Sequence, residues 1–143
     1  KGFQLARIET PSEKYVFILN THLDAGLSTS DRKVRADQLN QILAKVEKVI
    51  DGKALIVAGD LNLRRNDPQD SHLLEAFKKD LDLLDSFGGV KSDKNRPSLD
   101  YILYRNGTDT TLEVLEVGID PDFQYDNKPL SDHPALFIRL LIR

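Results

Sequence analysis

The chain has 143 residues, of which 40% are hydrophobic and 30% are charged, and its formal net charge is −3. This length is typical of one domain that builds its own core, and the charge argues against a protein that holds nucleic acid mainly through basic residues. The lack of cysteine excludes thiol catalysis and cysteine-ligated zinc. No apolar run approaches the ~18 residues of a membrane span.

Strands and helices alternate along the predicted chain. Strands are expected over 3–9, 15–21, 54–59, 99–104, 111–117 and 135–142, helices over 31–50 and 71–80, and loops over 88–97 and 120–129. The runs 15–21 and 54–59 are apolar at consecutive positions, which is typical of strands covered on both faces. The alternation predicts an α/β domain with a mixed sheet and helices packed on one face.

Each predicted helix has one apolar stripe. Ser30 is the expected N-cap of the first helix, and His72 of the second is expected to be structural. The apolar stripes are Leu39, Ile42, Leu43, Val46, Val49 and Ile50 in the first helix and Leu73, Leu74, Phe77 and Leu81 in the second. The charges expected on the solvated face of the first helix are Arg32, Lys33, Arg35, Lys45 and Lys48.

Polar side chains gather where the predicted strands end. If strands 15–21 and 54–59 are parallel and strands 99–104 and 135–142 run against them, these groups meet at one rim of the sheet, where loops commonly display a functional site. They are Asn20, His22, Asp24, Asp60, Asn62, Asp100, Asp132 and His133.

Each of these residues also has a structural interpretation. Asp60 and Asn62 can serve a turn, because Asp and Asn hydrogen-bond their own backbone, and a single histidine such as His22 is more often structural than functional. Asp100 is harder to explain in this way, because a carboxylate inside the apolar run 99–104 needs a partner. A histidine that donates its second ring N–H would satisfy it and fix the imidazole tautomer.

Four short segments taken together resemble a known superfamily. They are Asn-Thr-His-Leu-Asp at 20–24, Gly-Asp-Leu-Asn at 59–62, Leu-Asp-Tyr-Ile at 99–102 and Ser-Asp-His-Pro at 131–134. Their order and separations resemble the endonuclease/exonuclease/phosphatase superfamily of metal-dependent phosphodiesterases, whose domain is a four-layered α/β sandwich. The segments 30–39, 99–104 and 130–136 are further similar to neutral, magnesium-dependent sphingomyelinases.

The resemblance covers the whole chain but only the C-terminal half of the family's domain. The chain begins at Lys1 in a strand-like segment and contains no methionine, so we expect residues 1–143 to be the C-terminal portion of one catalytic domain. The absent portion would comprise roughly 120–150 residues. By resemblance, it holds an early asparagine and the glutamate that is the principal magnesium ligand.

The resemblance also implies a role for each residue at the rim. His133 would be the general base, oriented by Asp100, and Asn62 would donate to a phosphoryl oxygen. Asp60 would position the water and contact the metal, for which Asp132 would be a second ligand, and His22 would stabilise developing charge. The implied cofactor is Mg²⁺, with Mn²⁺ or another divalent cation as the alternative.

The implied reaction is hydrolysis of sphingomyelin to ceramide and phosphocholine. Its partners would be a phospholipid at a membrane surface and the absent N-terminal portion, and the resemblance favours a secreted or membrane-surface protein. One alternative is a nuclease of the same superfamily, of the abasic-site or exonuclease type, acting on nucleic acid. The other is a non-catalytic interaction domain on the same scaffold, which would not need the five residues His22, Asp60, Asn62, Asp100 and His133.

Overall fold

The computed structural model describes residues 1–88 and 99–143. Most of the loop predicted over 88–97 therefore lies outside the described residues. In the described part the strands are β1 (Phe3–Glu9), β2 (Tyr15–His22), β3 (Ala54–Asp60), β4 (Leu84–Asp85), β5 (Asp100–Arg105), β6 (Leu112–Ile119), β7 (Gln124–Tyr125), β8 (Lys128–Pro129) and β9 (Leu136–Ile142), and the helices are α1 (Thr29–Ile50) and α2 (Pro68–Asp80).

The main sheet has five strands in the order β1-β2-β3-β5-β4. Strands β2 and β3 are parallel, as expected, and β5 runs antiparallel to β3. The short strand β4 was not predicted. Strand β9 was expected in this sheet, but it pairs instead with β6 in a separate antiparallel ladder.

Both helices pack on one face of the main sheet, which confirms the predicted mixed α/β architecture. Side chains from β2, β3 and β5 meet the apolar stripes of α1 and α2 in one core, whose members include Leu19, Leu55, Val57, Leu103, Ile42, Val46, Leu74 and Phe77. The strand members of this core are alternate residues along β2, β3 and β5, so the residues between them point to the opposite face. That opposite face includes the rim residues His22, Asp60 and Asp100.

In the described part of the chain the opposite face is covered most fully near the far end of the strands, although Ile102 of β5 is buried closer to the rim. At the far end Val16 and Ala54 form a small cluster with Leu112, and Leu140 and Ile142 of β9 pack against it. Closer to the rim, Ile18 and Ala58 are half-buried. The expectation that β2 and β3 are covered on both faces therefore holds only at one end of the sheet.

The start and one face of α1 differ from the prediction. Ser28, not Ser30, is the N-cap, because its hydroxyl accepts from the Asp31 N–H while the Asp31 carboxylate accepts from the Ser28 N–H. Val49, expected in the apolar stripe, is exposed. Arg35, expected on the solvated face, is fully buried because it lies four residues before Leu39 on the stripe that faces the core.

The segment 120–129 contains a short hairpin where only a loop was predicted. Strands β7 and β8 pair through Gln124–Pro129 and Tyr125–Lys128 contacts. The two connecting residues, Asp126 and Asn127, have φ angles of 49° and 56°. Positive φ at both central positions is the requirement of a type I′ hairpin turn, and Asp and Asn adopt it more readily than most residues.

Candidate active site

Three predicted site residues lie side by side at the rim of the main sheet. In the strand registers, His22 of β2 pairs with Asp60 of β3, and Asp60 pairs in turn with Asp100 of β5. Directly paired residues on adjacent strands point to the same face. The strand register therefore forms a row of one imidazole and two carboxylates, here called the rim row, on the face that the helices do not cover.

A glycine next to the rim row explains how β2 and β3 come so close. Gly59 has a φ of 138°, and a Cβ atom placed on it would lie 1.9 Å from the carbonyl oxygen of Thr21. Only glycine adopts this backbone conformation without strain and leaves room for that carbonyl. The glycine thus lets Asp60 enter the row directly beside His22.

Asp60 serves both the turn and the rim row. Its Oδ1 accepts a hydrogen bond from the backbone N–H of Asn62 at 2.8 Å, and this holds Asn62 in a left-handed conformation with a φ of 50°. Its Oδ2 faces the two histidines, 3.5 Å from His22 Nε2 and 3.9 Å from His133 Nδ1. The structural and functional interpretations of Asp60 are therefore compatible.

His133 reaches the rim row from the loop that precedes β9. Its Nδ1 lies 2.8 Å from Oδ2 of Asp100, so the partner that the Asp100 carboxylate needs is present. This hydrogen bond favours the tautomer or cation with a proton on Nδ1, and it leaves Nε2 for another group. It also raises the pKa of His133, and the negative charges of Asp100, Asp60 and Asp132 add to this effect.

Asn62 is placed by the strand-end loop after β2. Its side-chain amide donates to the carbonyl oxygen of Leu23 at 3.0 Å, and the Leu23 N–H donates to the carbonyl of Asp60. The side chain of Asn62 is half-buried. The two loops that leave the ends of β2 and β3 are thus joined to each other at the site.

A group of three possible metal ligands is formed by Asp60, Asp100 and His133, whose ligand atoms lie within 4.8 Å of one another. Two carboxylates suit a hard divalent cation such as Mg²⁺, which prefers oxygen ligands. His133 Nδ1 is already hydrogen-bonded to Asp100, so the carboxylate oxygens are the better candidates. Asp132, predicted as a ligand, is exposed and is not a member of this group.

Two grooves open beside the rim row. One is lined by Gln4, Asn20, His22, Gly59 and Asp60 on the sheet face. The other lies between His133 and the β7–β8 hairpin, with Phe123, Pro129 and Asp132 among its lining residues. His22 therefore lines one groove and His133 lines the other.

Sequence reasoning missed the residues that hold the site loops from behind. Arg35 of α1 and Asp70 of α2 are both fully buried and form an ion pair, with Nη2 and Oδ1 separated by 3.0 Å. The signal was present in the sequence, because Arg35 continues the apolar stripe of α1 by one helical turn. Arg32, also expected to be solvated, is partly buried and pairs with Asp67 and Asp70.

The architecture is that of the endonuclease/exonuclease/phosphatase superfamily. An endonuclease/exonuclease/phosphatase from Beutenbergia cavernae superposes with a TM-score of 0.70 at 18% identity, covering 96% of this chain and 38% of that one. A magnesium-bound variant of Staphylococcus aureus beta toxin gives a TM-score of 0.61 at 23% identity, covering 95% and 56%. A hairpin-deletion variant of the same toxin gives 0.54 at 27% identity, covering 73% and 43%.

The sequence is similar to sphingomyelinases. It is 30% identical over 152 aligned residues to the sphingomyelinases of Mycobacterium tuberculosis and Mycobacterium bovis, which covers 95% of this chain. The chain spans 30% of the length of those relatives. No family model matches the sequence. The resemblance drawn from the four short segments is thus confirmed by sequence relatives and by fold.

Proposed function

We propose that this chain is the C-terminal portion of the catalytic domain of a divalent-metal-dependent phosphodiesterase. The observation on which the proposal rests is the rim row of His22, Asp60 and Asp100, with His133 hydrogen-bonded to its far end. Two imidazoles and two carboxylates on an open sheet face are poorly explained by packing. They match the needs of phosphodiester hydrolysis, which are an activated water and stabilised phosphoryl charge.

In this mechanism His133 is the general base. Oδ2 of Asp100 lies 2.8 Å from Nδ1 and accepts the proton that Nδ1 carries, so Nε2 is the nitrogen that takes a proton from the attacking water. Asp100 also stabilises the imidazolium that forms, which is consistent with the raised pKa of His133. A base of this kind contributes about 10²–10⁴-fold to the rate.

His22 and Asn62 act on the phosphoryl oxygens. The His22 side chain is 59% exposed, so its imidazole can turn towards a bound phosphodiester while remaining near Asp60. One N–H of the Asn62 amide is used by Leu23, and an amide nitrogen has a second N–H to donate. Both side chains then stabilise negative charge that develops in the transition state.

The rim row also offers ligands for a divalent metal. A bound Mg²⁺ would supply charge stabilisation for the phosphoryl group, and Asp60 would be its ligand from the rim row, because Asp100 is engaged with His133. Asp132, which lies outside this group of three, would contact the ion directly or through water. By resemblance, the main carboxylate ligand comes from the N-terminal portion of the domain. We therefore expect residues 1–143 alone to bind Mg²⁺ weakly and not to hydrolyse a phosphodiester.

Sphingomyelin is the substrate that the observations favour. The chain is similar to sphingomyelinases over 95% of its length, and the groove beside His133 is bordered by apolar side chains. Among these, Phe123 is exposed, and Tyr125 and Leu130 of the same segment are exposed too. Exposed tyrosine side chains suit a boundary between water and lipid, because the ring is apolar and its hydroxyl is polar. Within the described residues, no helix has the length and hydrophobicity needed to cross a bilayer.

The test is a hydrolysis assay on the full-length protein. Sphingomyelin vesicles and an abasic-site DNA duplex would each be incubated with Mg²⁺ or with EDTA. We expect release of phosphocholine with Mg²⁺ only, and its loss in the His133→Ala variant. His72→Ala is the matched control, because His72 is an exposed histidine on α2 outside the site.

Three results would contradict the proposal. Cleavage of the DNA duplex but not of sphingomyelin would identify a nuclease and contradict the assignment of sphingomyelin as the substrate. No cleavage of either substrate by a folded, Mg²⁺-loaded protein would favour an interaction domain. Retention of more than about a third of the turnover in His133→Ala would remove His133 from its role as the general base.

A further inference from the structure

We propose that the buried Arg35–Asp70 pair is a positioning device, which holds the two strand-end loops so that Asn62 faces the phosphoryl group. This inference rests on the proposed function. Neither residue lies in the rim row, and both are fully buried between the helices and the loops. The pair therefore acts on the site through other groups rather than by contact with a substrate.

Arg35 fixes the loop that leaves β2. Its Nη1 donates to the carbonyl oxygens of Asp24 at 3.2 Å and Gly26 at 3.0 Å. One helical turn further along α1, Gln38 accepts from the Asp24 N–H at 2.9 Å. The carbonyl next to this clamped residue is that of Leu23, which accepts the side-chain amide of Asn62.

Asp70 fixes the loop that leaves β3. Its Oδ1 accepts from Arg35 Nη2, and its Oδ2 accepts from the backbone N–H of Arg64 at 3.1 Å. Arg64 lies two residues after Asn62. One ion pair thus joins α1, α2 and both loops, and Asn62 is held between the two points of attachment.

Stability alone is a weak explanation for such a pair. Burial of two charges removes their hydration, and apolar residues of similar volume commonly give a fold of equal or greater stability. The pair also leaves Arg35 Nε buried without a hydrogen-bond partner in the described part of the chain. What apolar residues could not provide are the donors to two loop carbonyls and the acceptor for a loop N–H.

The central experiment replaces the whole pair by apolar residues in the full-length protein. The double variant Arg35→Met/Asp70→Leu removes both charges together, so neither is left buried and unpaired. We expect this variant to be folded, as a cooperative unfolding transition would show. Its kcat should fall about tenfold or more, and its KM should change less than about threefold. The acid limb of its pH–rate profile should not move, because His133 and Asp100 are untouched.

A double-mutant cycle with Asn62 separates positioning from general damage. Asn62→Ala alone should lower kcat by about 10²–10³-fold, and the Arg35/Asp70 replacement should then cost less than about threefold more. Multiplicative losses would show that the pair does not act through Asn62. The matched control is Lys53→Met/Asp109→Leu, a surface pair at the other end of β3, whose kcat should equal that of the wild type.

A second readout uses the full-length protein and needs no activity. In ¹⁵N-correlated NMR spectra, the side-chain amide of Asn62 should shift and exchange faster with solvent in the Arg35/Asp70 variant. The amides of Asn20 and Asn40 serve as internal references. An unchanged Asn62 amide in the variant would overturn the positioning role. A shifted amide in the variant, combined with a wild-type protein that hydrolyses no phosphodiester, would overturn the proposed function alone.

Discussion

Replacement of Gly59 by alanine tests the geometry of the rim row at its tightest point. The new Cβ would lie 1.9 Å from the carbonyl oxygen of Thr21 and 3.2 Å from Oδ1 of Asn20. Strands β2 and β3 would have to separate by more than about 1 Å to restore an ordinary contact. That movement would break backbone hydrogen bonds beside His22 and Asp60.

The expected loss of stability combines two effects. Alanine at a φ of 138° costs about 1–3 kcal/mol in backbone strain, and overpacking costs about 1–3 kcal/mol more. A loss of about 2–6 kcal/mol is large against the 5–15 kcal/mol that separates folded from unfolded domains. At about 4 °C per kcal/mol, Tm should fall by about 8–24 °C.

Urea and thermal denaturation followed by circular dichroism would measure this loss. Ala58→Gly is the matched control, because it changes the adjacent residue of the same strand in the opposite sense and should cost about 0.5–1 kcal/mol. If Gly59→Ala were no less stable than Ala58→Gly, the close approach of β2 and β3 would be wrong, and the rim row with it.

Three further predictions concern the site. Asp100→Asn removes the carboxylate that raises the pKa of His133, so an NMR titration in EDTA should give a pKa closer to 6.5. By linkage, the stability that this pair adds is present below pH 6.5 and is lost as pH rises through the raised pKa. The variant should lose that pH dependence, and the acid limb of its activity should move to lower pH; an unmoved limb would argue against the pairing. Asn62→Ala should lower kcat, because the activation free energy should rise by about 2.7–4 kcal/mol. An increase in KM alone would make Asn62 a ground-state contact. Asp60→Asn should weaken Mg²⁺ binding in calorimetric titrations of the full-length protein, and an unchanged affinity would exclude Asp60 as a ligand.

The gathering of site residues at one rim could be predicted, but their alignment could not. The polar residues at strand ends are visible in the sequence, and the directions supposed for β2, β3 and β5 agree with those in the structure. The register that pairs His22, Asp60 and Asp100 depends on the close approach at Gly59, which leaves no periodic signal. The placement of β9 in a separate ladder depends likewise on pairing with β6, which local patterns do not specify.

Charged and turn residues gave signals that were open to a different interpretation. Arg35 lies on the apolar stripe of α1, but its partner Asp70 is on another helix, so the sequence alone did not reveal a buried pair. Asp126-Asn127 is a recognisable hairpin turn, yet its flanking strands are only two residues long and have no alternating pattern. Short elements of this kind are formed by the turn and not by the strands.

The rim row makes the site sensitive to the length of its strands as well as to the identity of its residues. Because strand side chains alternate between faces, insertion of one residue into β3 would move Asp60 to the helix side of the sheet, where a carboxylate would enter the core. The position between His22 and Asp100 would then be taken by Gly59, which has no side chain to offer. Relatives that keep this site are therefore expected to vary in the length of their loops. The number of residues from the start of β2 to His22, and from the start of β3 to Asp60, should stay fixed.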